Sequence, residues 1–164
     1  MVDIKNIMQI VILYCQSQGY TINPLKLQKL LYFVQAWHIV TFDKNTLFQE
    51  LPEAWVNGPV YRSIYDIYKT KFYRNDNFID TECNTEEKLH EKLDKLISAS
   101  DLSDKQQELL FSVLKVYGAM SDEKLVFATH NAEPWNNARK GYKPFERCNE
   151  KISVNDMYNY YSQK

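Results

Sequence analysis

The sequence holds little of what disulfide-built or phosphate-binding domains depend on. Of its 164 residues only four are glycine and three are cysteine. The scattered glycines form no phosphate-binding loop. The cysteines, Cys15, Cys83 and Cys148, lie far apart without a CxxC pair, which is typical of reduced thiols in a cytosol.

Long apolar runs are also missing. No stretch approaches the roughly 20 apolar residues that span a bilayer. The apolar segment 7–15 is not a secretory signal pattern, because Asp3 stands where basic residues are expected and Gln9 interrupts the run. We therefore expect a soluble, cytoplasmic protein without a membrane partner.

No excess of one charge sign is present. Lysine and arginine total 20, aspartate and glutamate total 21, and the formal net charge is -1, so no overall field attracts nucleic acid. Apolar residues make up 45% of the chain, which is typical of a globular protein. The length fits one domain, and we expect a single domain over residues 1–164.

Sequence patterns of catalysis and metal binding are absent as well. A zinc protease helix needs two histidines one turn apart, but His38, His90 and His130 are each solitary. No GxSxG elbow occurs. A site assembled from distant residues would leave no such spacing. We name no catalytic residue and expect no enzyme activity, no cofactor and no metal.

What is present is helical periodicity. Apolar spacing and the capping residues Asp3, Asn23, Ser103 and Ser121 predict a mainly α single domain of about six to seven helices. The second helix, capped by Asn23 and starting at Pro24, has the clearest apolar stripe. Segment 47–56, interrupted by Pro52, predicts at most a small β element. Pro59 is predicted at the first position of the third helix, and Pro134 near the end of the sixth.

The third predicted helix has two stripes on a helical wheel. The apolar stripe consists of Val60, Ile64 and Ile67. The aromatic stripe, roughly 100° away on the wheel, consists of Tyr61, Tyr65, Tyr68 and Phe72. Either this helix is buried nearly all round, or its tyrosine edge is exposed for a partner. With two flanking cations, the predicted partner-binding residues are Tyr61, Arg62, Tyr65, Tyr68, Lys69 and Phe72.

The same segment supports an alternative function. Arg62, Lys69, Lys71 and Arg74 alternate with aromatic rings, a pattern that can bind single-stranded nucleic acid by stacking and phosphate contacts. Asp66 and the balanced net charge argue against it. Protein binding is therefore the first interpretation, and a nucleic-acid-binding regulator of a phage or mobile element is the alternative.

Three stretches of the sequence carry a family resemblance. The first is Lys26-Leu27-Gln28-Lys29-Leu30-Leu31-Tyr32 with Trp37-His38. The second is Glu53-Ala54-Trp55 with Gly58-Pro59-Val60. The third is Tyr117-Gly118 with Thr129-His130, Pro134-Trp135 and Ala138-Arg139. In that order they resemble the SocA-like Panacea antitoxin domain, which also occurs in phage-associated proteins of the GepA type.

The resemblance implies an antitoxin domain that neutralises a co-encoded toxin by direct contact, often on a mobile element or prophage, without enzyme activity or cofactor. The sequence departs from the family pattern at Tyr61-Arg62, where apolar or proline residues are expected. The family-motif positions, whose role is structural or binding, are Lys26, Gln28, Lys29, Trp55, Gly58, Pro59, His130, Pro134 and Trp135.

For most of these positions a structural role is the simpler interpretation. Tryptophan is highly buried on average, so Trp55 and Trp135 are expected to pack before they bind. Lys26 and Lys29 are expected on a solvated polar side of the second helix. His130 is expected to bond the last carbonyls of the sixth helix.

Overall fold

The computed structural model describes residues 1–72, 77–78 and 83–164, and the side chains of the third helix as far as Thr70. The described part contains eight helices and one hairpin. In chain order these are α1 (Ile4–Ser17), α2 (Pro24–Thr41), β1 (Glu53–Trp55), β2 (Gly58–Val60), α3 (Arg62–Phe72), α4 (Glu86–Ala99), α5 (Asp104–Tyr117), α6 (Asp122–His130), α7 (Glu133–Ala138) and α8 (Val154–Tyr161). The predicted mainly α fold is confirmed.

The additional helix comes from the region of Pro134. We predicted that this proline ends the sixth helix, but it lies in the first turn of α7. A proline is well accommodated there, because the first turn needs no N–H from it and its φ is already helical. The predicted sixth helix is therefore two short helices, α6 and α7.

The small β element lies slightly later than predicted. Strands β1 and β2 pair antiparallel, with Glu53 opposite Val60 and Trp55 opposite Gly58. Pro59 therefore lies in β2 and does not start α3, as we had predicted. The earlier part of the segment bonds to a side chain instead, because the Gln35 amide donates to the Phe48 carbonyl at 2.8 Å.

Several helices begin at residues that the sequence predicts. The side chains of Asp3, Asn23, Ser103 and Ser121 each accept a hydrogen bond from a backbone N–H in the first turn. At Ser103 the Gln106 side chain completes a capping box. Each such cap contributes about 1 kcal/mol to stability.

Helix α2 lies at the centre of the fold. It packs against α1, α3, α5, α6, α8 and β2, so almost every face of it is covered. Lys26 and Lys29 are buried, and our expectation of a solvated polar side was wrong. A stripe on one face of a helix does not show what covers the opposite face.

Within the described residues, no helix is long and apolar enough to cross a membrane.

Candidate functional site

A cleft opens where the hairpin, the start of α2 and α3 meet the loop before α8. We call it the hairpin cleft, and its volume is about 360 Å³. It is lined by Leu25, Lys29, Trp55, Val56, Asn57, Val60, Tyr65, Phe145, Arg147 and Cys148. Three of these ten residues are aromatic and two are basic, so the cleft combines apolar walls with positive charge.

Lys29 forms the inner wall of the cleft. Its side chain is fully buried, and Nζ donates to the Pro59 carbonyl at 3.1 Å. Burial lowers the pKa of Lys29 to about 7, because the charged form loses its hydration. This amine therefore loses its proton at a much lower pH than an exposed lysine does.

Gly58 makes room for that lysine. Its φ is +108°, and a Cβ atom there would lie 2.7 Å from Lys29 Cε and 2.9 Å from Thr129 Oγ1. Both the backbone conformation and the crowding exclude a side chain. The buried position of Lys29 thus depends on a glycine at position 58.

We expect Gly58→Ala to lower the free energy of unfolding by about 2 kcal/mol or more, from backbone strain and overpacking together. Urea denaturation measures this loss. Gly141→Ala is the matched control, because Gly141 also has a positive φ, +90°, but no atom within 4 Å of the added Cβ. Equal losses in the two variants would show that crowding against Lys29 contributes nothing.

Glu53 anchors the hairpin to α3. Its buried carboxylate accepts from Arg62 at 2.9 Å and from Trp55 Nε1 at 3.0 Å. Burial alone would raise the pKa of Glu53, but the bonds and charges of its partners lower it overall. The guanidinium of Arg62 also lies 4.9 Å from the centre of the Trp55 ring.

This arrangement bears on the nucleic-acid alternative. The charge of Arg62 is offset by Glu53, so it is not available as a simple phosphate contact. Lys69 is exposed. The side chain of Lys71 and the whole of Arg74 lie outside the described residues. No described residue therefore favours nucleic-acid binding over protein binding.

The two stripes of α3 are only partly as predicted. Val60 and Ile64 are buried, as expected, but Ile67 is 44% exposed. Tyr61 was predicted at the exposed margin and is instead fully buried. It precedes α3, so the helical wheel does not apply to it.

Tyr61 is fixed by its backbone. The Gln28 amide donates to the Tyr61 carbonyl at 3.2 Å and accepts from the Tyr61 N–H at 2.8 Å. The ring then packs edge-on against Phe48 at 5.3 Å. Tyr61 is thus a core residue, and Gln28 attaches α2 to the end of the hairpin.

Tyr65 and Tyr68 are half-buried. Tyr65 meets the Trp55 ring edge-on at 4.7 Å, and Tyr68 meets the Phe78 ring at 4.7 Å. Both rings keep exposed surface on the same helix as Arg62. Phe72, the last predicted partner residue, has its side chain outside the described part.

The histidine and tryptophan of the third motif also reach the hairpin. The His130 ring stacks on Trp135 at 4.2 Å and lies near the backbone of Val56. The bond to the last carbonyls of α6 that we had expected is not found among the described residues. Trp135 Nε1 donates to the Trp55 carbonyl at 2.8 Å. Burial, and next the charge of Lys29, lower the pKa of His130.

Most family-motif positions therefore converge on the hairpin, although they are far apart in sequence. Lys26 is the exception. Burial lowers its pKa, and the nearby Cys15 and Asp122 partly offset that effect. Lys29 and Trp135 bond the backbone of the hairpin, and Gln28 bonds the backbone of Tyr61 directly after it.

Sequence reasoning missed a second cleft and two exposed phenylalanines. The α6 cleft, about 500 Å³ in volume, is lined by Leu25, Asp122, Glu123, Val126, Phe127 and His130. Phe127 is 70% exposed here, and Phe145 at the hairpin cleft is 90% exposed. Neither has a periodic signal, since Phe145 lies in a loop and Phe127 on the outer face of a short helix.

Arg139 holds the loop that carries Phe145. Its buried guanidinium donates to the Ala54 carbonyl at 2.8 Å, to the Lys143 carbonyl at 2.9 Å and to the Glu146 carbonyl at 2.6 Å. The residue stands in the third motif, but its role could not be inferred from sequence because all of these acceptors are backbone atoms.

Titratable groups in the described part do not form a metal site. No group of three or more histidine, cysteine or carboxylate side chains there is placed to hold a metal ion. The buried Cys15 thiol has its pKa raised to about 12 by burial, which makes it a weak nucleophile.

Comparison with known families gives one match. The family model described as Antitoxin SocA-like, Panacea domain matches residues 27–136. That range contains most of α2, the hairpin, the helices α3 to α6, and Trp135. No curated protein and no solved structure matches the chain significantly.

Proposed function

Because the chain belongs to the SocA-like Panacea antitoxin family, we propose that it is an antitoxin that neutralises a toxin protein by direct contact. The family match over residues 27–136 is the observation that carries this proposal. It includes the motif side chains that build the hairpin cleft. Several of these side chains bond backbone atoms of the hairpin region, which is a structural role. The proposal assigns catalysis to none of them.

The proposal includes the setting in which such a protein acts. The toxin is encoded beside the antitoxin on a mobile element or prophage, and the two meet in the cytoplasm. The buried Cys15 and Cys148 form no disulfide, which is compatible with a reducing compartment.

Partner contact is proposed to begin at the edge of α3. Tyr65 and Tyr68 keep exposed ring surface next to Arg62 and Lys69. A tyrosine ring can bury against a partner while its hydroxyl finds water or a hydrogen bond. Tyr61 is not part of this surface, because it is buried.

Co-expression tests the function. The product of the adjacent gene, expressed alone, should arrest growth of the native host, and expression of this chain with it should restore growth. A matched plasmid with an early stop codon in the antitoxin reading frame should not restore growth. A harmless neighbouring product, or arrest that persists with the intact chain, contradicts the proposal.

A further inference from the structure

Two exposed phenylalanines mark neighbouring parts of the surface. Phe145 stands at the hairpin cleft and Phe127 at the α6 cleft. They are 90% and 70% exposed, and each lies beside a cleft where a partner could cover it. An exposed aromatic beside a concave site is typical of a protein-binding surface.

The two clefts adjoin each other at the start of α2. Leu25, near the start of α2, lines both of them. His130 lines the α6 cleft and lies near the backbone of Val56, which lines the hairpin cleft. The clefts thus share a wall, and we call the combined surface the Leu25 groove.

The ends of the groove carry opposite charges. Arg147 is exposed at the hairpin end, with Lys29 behind it, and no carboxylate among the described residues lines that cleft. The neighbouring Glu146 accepts from the Lys143 N–H at 3.0 Å. At the α6 end, Glu123 is exposed, whereas Asp122 accepts from the Asn23 amide at 2.7 Å and lies near Lys26. None of the side chains that line this cleft is lysine or arginine.

The surface is preorganised at its most exposed point. The three carbonyl bonds of Arg139 fix the loop that carries Phe145. A rigid aromatic side chain loses little conformational entropy when a partner covers it. Phe145 is therefore suited to be an anchor of a complex.

We propose that the Leu25 groove docks the toxin, and that the docked toxin segment is apolar with an acidic residue facing Arg147 and a basic residue facing Glu123. This inference rests on the proposed antitoxin function. It extends the contact surface from Tyr65, which lines the hairpin cleft, across to α6. A second copy of this chain is the alternative occupant, and the sedimentation experiment below distinguishes it from the toxin.

Titration calorimetry of the purified chain with the purified product of the adjacent gene tests this inference. Phe145→Ala and Phe127→Ala should each weaken binding by about tenfold or more, as expected of interface anchors. Arg147→Glu and Glu123→Lys should weaken it as well, and the loss from charge reversal should shrink with added salt. The four side chains are exposed, so melting temperatures should stay unchanged.

Matched control variants lie on α5, which lines neither cleft. Val116 is 56% exposed, and Lys115 and Glu108 are exposed charges on the same helix. Val116→Ala, Lys115→Glu and Glu108→Lys should leave binding unchanged.

The possible outcomes separate the two proposals. Wild-type binding that all four groove variants retain overturns the Leu25 groove and leaves the antitoxin function standing. Failure of the wild-type chain to bind overturns both. Sedimentation of the chain alone tests whether a second copy occupies the groove. If the wild-type chain is a dimer, and if Phe127→Ala and Phe145→Ala convert it to a monomer, the groove binds a second copy and the inference is overturned.

Discussion

Between pH 7 and pH 9, the wild-type protein should gain about 2 kcal/mol of unfolding free energy relative to a Lys29→Met variant. Methionine has a similar length and carries no charge, so the variant lacks the ionisation of Lys29. The effect is large because the Lys29 amine is fully buried and its pKa is lowered to about 7.

The sign follows from proton binding in the two states. In the unfolded chain a lysine keeps its proton up to a pKa of about 10.4, whereas folded Lys29 loses it near pH 7. Between these values the unfolded state binds more protons, so stability rises with pH. Below pH 7 both states are protonated, and the contribution of Lys29 no longer changes.

Urea denaturation of both proteins at pH 7, 8 and 9 measures this difference. Tyrosine and cysteine side chains titrate in both proteins, so their effects cancel. Lys115→Met, at an exposed site on α5, is the matched control for the substitution itself. If the Lys29→Met curve runs parallel to wild type, Lys29 is hydrated in the folded protein and our description of the inner wall is wrong.

A second large effect is expected in the core beside the proposed docking edge. Ile64→Ala should cost about 2 to 5 kcal/mol of unfolding free energy, because Ile64 is fully buried. Tyr65→Ala should cost much less stability, because that ring is half-buried. It should instead weaken the toxin complex by about 1 to 2 kcal/mol.

Thermal melts and toxin titrations on the two variants separate these roles. Tyr65 lies edge-on to Trp55 at 4.7 Å, so a small loss of stability is expected on its removal. Should Tyr65→Ala destabilise the protein as much as Ile64→Ala, the tyrosine edge belongs to the core and the toxin docks elsewhere.

Local signals in the sequence predicted much of the helical framework. Caps such as Asp3 and Ser103 act within one turn of the chain, and so they can be recognised without knowledge of the fold. The environment of Lys29 could not be predicted in this way. Its burial depends on how elements from distant parts of the chain surround α2.

Tyr61 shows a different limit. The wheel that placed it on the partner edge assumed a helix from Pro59, but β2 continues to Val60 and α3 begins at Arg62. The shift of a few residues is enough to move one ring from the predicted margin to the core. The bonds that cause it come from Gln28, 33 residues away in sequence.

The exposed end of the candidate site was beyond sequence reasoning for another reason. Phe145 and Arg147 lie in an irregular loop, where no periodicity distinguishes an exposed side chain from a buried one. The loop's position depends on Arg139 and on backbone carbonyls. Every residue has a backbone carbonyl, so the sequence does not show which carbonyls accept hydrogen bonds from an arginine.

The central claim is direct contact between this chain and its toxin, and the most direct test is size-exclusion chromatography with light scattering on the two purified proteins. We predict that an equimolar mixture elutes as one species containing both chains, with a mass equal to a defined complex. The two proteins are mixed at the concentrations at which the antitoxin restores growth in cells. Two separate peaks at the masses of the individual proteins would then contradict the claim.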